Sequence, residues 1–251
     1  LAKIDKTKYT KQEWRKIKEQ RRLEKELSRQ SNQPIRTTNP KNITDANIRS
    51  SKNKIAFVLG NGVSRKPIVL DELKQHGTVY ACNAVYRHFQ PDFLVAVDVK
   101  MILEINKSGY QKNNQVWTNP NRAYDRMQGF NFFQPSKGWS SGPTALWLAS
   151  QHQYDKIFIL GFDYKGLSNG SKTGYKFNNI YANTGNYKNS HDSATFFGNW
   201  LRQTASVVKE NANTNYIRVI APDNYKPEEL NKFSNFSTWH VEDFQKFFSL
   251  S

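Results

Sequence analysis

Cysteine is nearly absent from this chain. Cys82 is the one thiol in 251 residues, which excludes an internal disulfide. It sits in an apolar run with no histidine beside it, the setting of a buried structural thiol and not of a nucleophile. Long apolar runs are missing as well, and none approaches the ~20 residues of a membrane span. The basic N-terminus has no apolar stretch behind it, so the expectation is a soluble, cytoplasmic chain without a signal peptide. Acidic residues are scarce: 21 Asp and Glu face 37 Lys and Arg, for a formal charge of +16. Such a balance favours polyanionic partners and says nothing about fold. His76, His88, His152 and His240 fall at no metal-ligand spacing, so a metal centre is not expected. No internal repeat is present.

What is there divides unevenly. Hydrophobic residues make up only 37% of the chain while aromatics reach 14%, which suggests a true core with a polar extension. Residues 1–52 hold 15 Lys and Arg against 6 Asp and Glu, so +9 of the net charge lies in this first fifth. Thr10-Lys11-Gln12-Glu13 has the form of a capping box, which predicts a helix over about residues 11–30. At about 100° per residue, Trp14 and Ile17 point away from Leu23 and Leu27, so the helix has no single stripe for docking on a core. Residues 1–30 therefore read as a basic helical arm. Residues 31–53, polar and carrying two prolines, read as an extended linker. A solvated arm and a specific nucleic-acid or partner-binding arm both remain open.

From residue 54 to residue 251 the pattern alternates. Apolar runs at 55–59, 78–82, 93–97, 157–161 and 216–220 read as strands. Stretches at 68–75, 100–107, 142–152, 193–211 and 239–249 read as helices. Strands separated by helices predict an open, mostly parallel α/β sheet with helices on both faces. Residues 108–138 and 164–191 are long, weakly periodic and rich in Gly, Asn and Tyr; the second reads as a lid.

In such a sheet, ligands bind at the carboxyl ends of strands. Gly60-Asn61-Gly62-Val63-Ser64 follows the first run, Asn83 the second, Asp98 the third and Asp163 the fourth. The glycines allow close backbone approach, and the amides of the following turn can face a phosphate. Gly60-Asn61-Gly62 is neither the dinucleotide fingerprint, since Arg65 stands where the third glycine belongs, nor a P-loop. Ser140, Ser141 and Gly142 precede a helix whose first turn carries Pro143, an N-terminus suited to an anion and equally to an ordinary cap. Asn and Asp also form turns and caps, so their joint placement at strand ends is the stronger signal. Together these point to a nucleotide or nucleotide-sugar pocket.

These residues resemble a known group. GNGVS at 60–64, CNAVY at 82–86 and SSGPTALWLASQHQYDKIFILGFDY at 140–164 are similar to the bacterial sialyltransferases of glycosyltransferase family 42. They also resemble the related hydroxymethylpterin-pyrophosphokinase-like proteins. The resemblance covers roughly residues 54–222 and implies a Rossmann-like, glycosyltransferase-A-variant fold. It further implies a sugar transferase using a CMP-activated, sialic-acid-type donor and an acceptor glycan or other hydroxyl, with no cofactor required. Asn61 and Asn83 match the family's CMP-binding asparagines, and Ser140, Ser141 and Gly142 match its nucleotide-pocket residues. His191 matches its general base, and Tyr164 and Tyr175 are nearest its two phosphate-binding tyrosines. Ser190 replaces the family's glycine before the histidine, the lid is longer, and Asp98 stands where the family is polar and uncharged.

Two alternatives accompany this reading. A pyrophosphokinase-like phosphotransferase would hold Mg²⁺ through Asp98 and Asp163. An inactive transferase fold would act through residues 1–52 on nucleic acid or within an assembly. Self-association is left open. Because the arm has no single apolar face, deleting residues 1–52 is expected to leave the thermal midpoint within a few degrees. A collapse of the unfolding transition on truncation would show instead that the arm packs on the domain.

Overall fold

The structure, a computed structural model, describes Thr37–Thr38 and residues 54–168, 175–220 and 225–250. The helical arm expected over 1–30 lies outside the described residues, as does the linker over 31–53 apart from Thr37–Thr38. No helix among the described residues is long and apolar enough to cross a membrane.

The architecture is an open α/β fold. Its sheet is built from β1 (Thr37–Thr38), β2 (Ile55–Leu59), β3 (Thr78–Cys82), β4 (Phe93–Val95), β5 (Val116–Thr118), β6 (Phe130–Phe133), β7 (Lys156–Leu160), β10 (Asn215–Ile220) and β11 (Phe236–His240). The spatial order is β1-β6-β5-β4-β3-β2-β7-β10-β11, with every neighbouring pair parallel. A separate antiparallel hairpin joins β8 (Leu167–Ser168) to β9 (Tyr175–Lys176).

Parallel strands need crossovers, and the helices between them cover both faces. Alternation along β2 shows how. Phe57 and Leu59 point to one side, where α1 (Leu70–Leu73), α2 (Val99–Ser108) and α6 (Val241–Phe248) bury Leu73, Ile102, Ile105 and Phe244. Ala56 and Val58 point to the other, against α3 (Ser141–Gln151), α4 (Gly198–Glu210) and α5 (Glu228–Asn231). Phe57 pairs in register with Phe158 of β7, and their rings stack at 5.7 Å with Phe244 and Phe248 edge-on. Each buried Phe side chain contributes about 1.5–3 kcal/mol, so this cluster fixes the centre of the sheet.

Several expected boundaries are corrected. Residues 108–138 contain two strands, β5 and β6, of only three and four residues. Runs so short carry no period; burial on both faces defines them, with Trp117, Phe132 and Phe133 almost fully enclosed. Residues 236–240 form the edge strand β11, so α6 begins only at Val241. The helix expected from 193 begins at Gly198 because residues 192–194 bond to the hairpin instead: Phe177 N donates to Asp192 O (2.8 Å) and Ala194 N to Tyr175 O (3.0 Å). The stretch 68–75 yields just the four residues of α1, and the third run ends at Val95 instead of residue 97.

The chain steps outward from β2 to β6 and then returns to β7 on the other side of β2. That reversal is the topological switch point, where α/β sheets open a crevice at their carboxyl ends. The two strand ends stay in contact past the sheet, Gly60 N bonding Leu160 O (2.7 Å) and Gly62 N bonding Gly161 O (2.9 Å). A Cβ on Gly60 would lie 2.5 Å from Gly161 O. Gly60→Ala is therefore expected to cost about 1–3 kcal/mol of stability as the strand ends are forced apart. Urea unfolding checks this, and a wild-type midpoint would mean the two loops are not held together.

Candidate active site

At the switch point lies a cleft of about 350 Å³, within the roughly 300–1,000 Å³ of small-molecule sites. Its floor is Gly60-Asn61-Gly62 beside Gly161-Phe162-Asp163. Cys82, Asn83 and Asp98 also line the cleft, as does the start of α3 from Ser140 to Pro143. Lys165, Asn178, Asn179, Thr195 and Trp200 complete the rim.

Asn61 is buried, its Nδ2 donating to Tyr187 Oη (3.2 Å) and its carbonyl accepting from Ile180 N (2.8 Å). Asn83 adopts a left-handed backbone (φ 54°), which Asn tolerates better than most residues. The Oδ1 atoms of Asn61 and Asn83 are both buried without a partner. A buried acceptor left unmatched costs about 1–3 kcal/mol, so two at one cleft are a cost carried in the empty site.

The α3 wall offers donors. Ser141 Oγ accepts from Val97 N (3.1 Å), strapping the end of β4 to the helix start. Ser140 caps the helix through its backbone, Thr144 N bonding Ser140 O (3.0 Å), and its own N–H donates to Gln203 Oε1 (3.1 Å). No protein acceptor among the described residues takes the amides of Ser141 and Gly142, and the partial positive charge of α3 converges there.

The acids differ sharply. Asp163 accepts from Ser64 N (3.2 Å), from Ser64 Oγ and from Asn178 Nδ2 (2.9 Å). A side chain on Gly62 would collide with this carboxylate, so the glycine makes room for the clamp. Ser64 thus holds Asp163 and does not line the cleft. Asp98 caps α2 by backbone alone, with no side-chain bond, and desolvation raises its pKa above the usual carboxylate value. Among the described residues no three His, Cys, Asp or Glu converge as metal ligands.

The structure separates the remaining candidates. Tyr164 borders the cleft, but it is buried and its hydroxyl donates to Thr204 Oγ1 (2.8 Å). Burial pushes its pKa up, with the Thr204 bond opposing. Tyr175 is 55% exposed on β9, and His191 is exposed in the turn after the lid; neither lines the cleft. Within the stretch expected as a lid, residues 177–181 cover the glycine loop, with Phe177 and Tyr181 buried. Ile180 N donates to Asn61 O (2.8 Å) and Val63 N to Asn178 Oδ1 (3.0 Å), while residues 183–186 are exposed.

Buried Arg65 pins that cover, donating from Nε to Gly60 O (2.6 Å) and from Nη2 to Tyr181 Oη (3.0 Å). Tyr187 Oη accepts from both Asn61 Nδ2 and Ala84 N (3.3 Å), bridging the first two strand ends. Neither tyrosine was singled out in the sequence. The one signal there was Asn178-Asn179 in an Asn-rich loop, which has no period to read.

No family model matches this chain, and no curated protein matches it. One solved structure, described as the MAf glycosyltransferase from Magnetospirillum magneticum AMB-1, is similar at 13% identity with a TM-score of 0.42. The match covers 68% of this chain and 32% of that one, so this chain spans about a third of its length.

Cys82 lines the cleft yet is 3% exposed, and burial raises its thiol to about 12, partly opposed by Arg65. At pH 8 the thiolate is then about 10³-fold rarer than for a free cysteine. Iodoacetamide should leave the native protein unlabelled and modify it readily in urea. Equal rates in both would show the thiol open to solvent.

Proposed function

We propose that this protein is a transferase acting on a nucleotide-activated sugar, with a CMP-type donor seated in the switch-point cleft. The observation that carries the reading is the pair of unpartnered acceptors, Asn61 Oδ1 and Asn83 Oδ1, at adjacent strand ends. A cytidine nucleotide presents ribose hydroxyls and an exocyclic amine, which are donors for such oxygens. The open amides of α3 supply the complementary function, since a phosphate is favoured at a helix N-terminus. The resemblance of residues 60–64, 82–86 and 140–164 to the sialyltransferases supports the same donor class.

The chemistry suits these groups. When the sugar leaves its phosphate, negative charge grows on the bridging oxygen, and amides and hydroxyls aimed there stabilise it. Ser140, Ser141 and Gly142 line the same cleft as Asn83 and Asp98, which supports this role for the start of α3. Asp163 serves this site by holding the glycine loop through Ser64 and the cover through Asn178.

Calorimetry with CMP tests the reading. Wild type should bind, and Asn61→Ala and Asn83→Ala should each weaken binding by about 1–3 kcal/mol. No binding at about 1 mM CMP, where even a −4 kcal/mol site would be half filled, would overturn it. Binding of a nucleoside triphosphate only with added magnesium would favour the phosphotransferase instead.

A further inference from the structure

We infer that the carboxylate of Asp98 is the general base that takes the proton from the attacking hydroxyl. This rests on the transferase reading and deepens it. The titratable side chains lining the cleft are Cys82, Asp98, Asp163, Tyr164 and Lys165. Asp163 is spent on Ser64 and Asn178, and the Tyr164 hydroxyl is spent on Thr204. Cys82 is a buried neutral thiol, and Lys165 is a cation lying 5.5 Å over the Tyr225 ring. His191 is outside the cleft.

Of the two carboxylates that line the cleft, Asp98 is the one without a hydrogen bond or ion pair among the described residues. Its position makes that unusual. An aspartate at a helix N-cap ordinarily accepts a bond from the second or third amide of the helix. Here the Asp98 carbonyl accepts the ordinary first helical bond, from Ile102 N (3.0 Å), while the side chain makes no cap bond. The Val97 N to Ser141 Oγ bond fixes the backbone beside it, so the carboxylate is held at the cleft wall by its neighbours. A carboxylate withheld from its structural partner and presented to a cleft is placed to act on a ligand.

In the step, the acceptor O–H proton passes to an Asp98 oxygen as the acceptor oxygen bonds to the anomeric carbon. The bond from that carbon to the donor phosphate breaks, and the phosphate leaves with the electron pair as the nucleoside monophosphate. No other reactant is needed. A base works best when its pKa approaches the working pH, and desolvation moves Asp98 in that direction. The titratable groups whose charge couples to it are Cys82 at the end of β3 and Tyr124 before β6. Burial raises both, so both stay neutral around pH 7.

The sign of the linkage gives a readout apart from activity. A carboxyl whose folded pKa is raised is disfavoured as an anion by folding, and its cost to stability appears as pH rises through the folded pKa. Asp98→Asn removes that cost, so its thermal midpoint at pH 7 should equal or exceed that of wild type. A residue kept for stability would do the opposite.

The experiment compares wild type, Asp98→Asn and His191→Ala, using CMP calorimetry and enzymatic hydrolysis of CMP-N-acetylneuraminate with water as acceptor. Asp98→Asn should lose about 10²–10⁴-fold in kcat with CMP affinity unchanged, and the acidic limb of its rate profile should disappear. Wild-type turnover in Asp98→Asn, a parallel loss of CMP affinity, or a loss confined to His191→Ala overturns the assignment and leaves the transferase reading standing. A wild type that neither binds CMP nor cleaves the donor overturns both. Carbon NMR titration of the Asp98 carboxyl in the intact protein gives a donor-independent arm, since an ordinary carboxylate pKa there also overturns the assignment.

Discussion

The close approach of β2 and β7 beyond their hydrogen-bonded register is the constraint on which the rest depends. Inside the sheet the two strands are held by the Phe57 and Phe158 rings. Past its edge, backbone bonds from Gly60 and Gly62 continue the pairing into the loops. Side chains at these positions would meet backbone or carboxylate, so glycine is required for space more than for conformational freedom. Because the loops touch there, Asn61 and Asp163 come to share one floor although 102 positions of chain separate them.

From that contact the polar network builds outward. Arg65 reaches back to the Gly60 carbonyl and forward to Tyr181, and so couples the glycine loop to the cover. His88 Nδ1 meets the same tyrosine hydroxyl at 3.3 Å, and Arg87 pairs with Glu104 at 2.7 Å beside it. These bonds tie the second strand end and α2 to the cover. Tyr175, on the hairpin outside the cleft, is exposed.

Much of this was legible. The strand ends carrying Asn61, Asn83, Asp98 and Asp163 could be read because buried parallel strands are apolar runs that stop abruptly, and in this fold those stops share one edge. The start of α3 could be read from its small residues and Pro143. The roles of Tyr164, Tyr181 and Tyr187 could not. Tyr164 was expected to meet a phosphate, yet its hydroxyl is turned to Thr204, forty positions away. Tyr187 joins two strand ends more than a hundred positions upstream of it. Neither contact follows any local period, since each is made by loops whose paths depend on the packed sheet.

By itself the sequence determined the parallel sheet, the helices on both of its faces and the set of polar residues at its carboxyl edge. Those features arise from local patterns: short apolar runs, helical spacing, and Gly or Asn where strands end. Only the tertiary structure decided which of those polar groups are spent and which are left over. Asp163 and Asp98 are the same residue type at equivalent strand ends. One is saturated by Ser64 and Asn178, and the other is left bare beside a desolvating wall. The difference lies in what the cover segment and the α3 start bring against each, through contacts that span the whole fold.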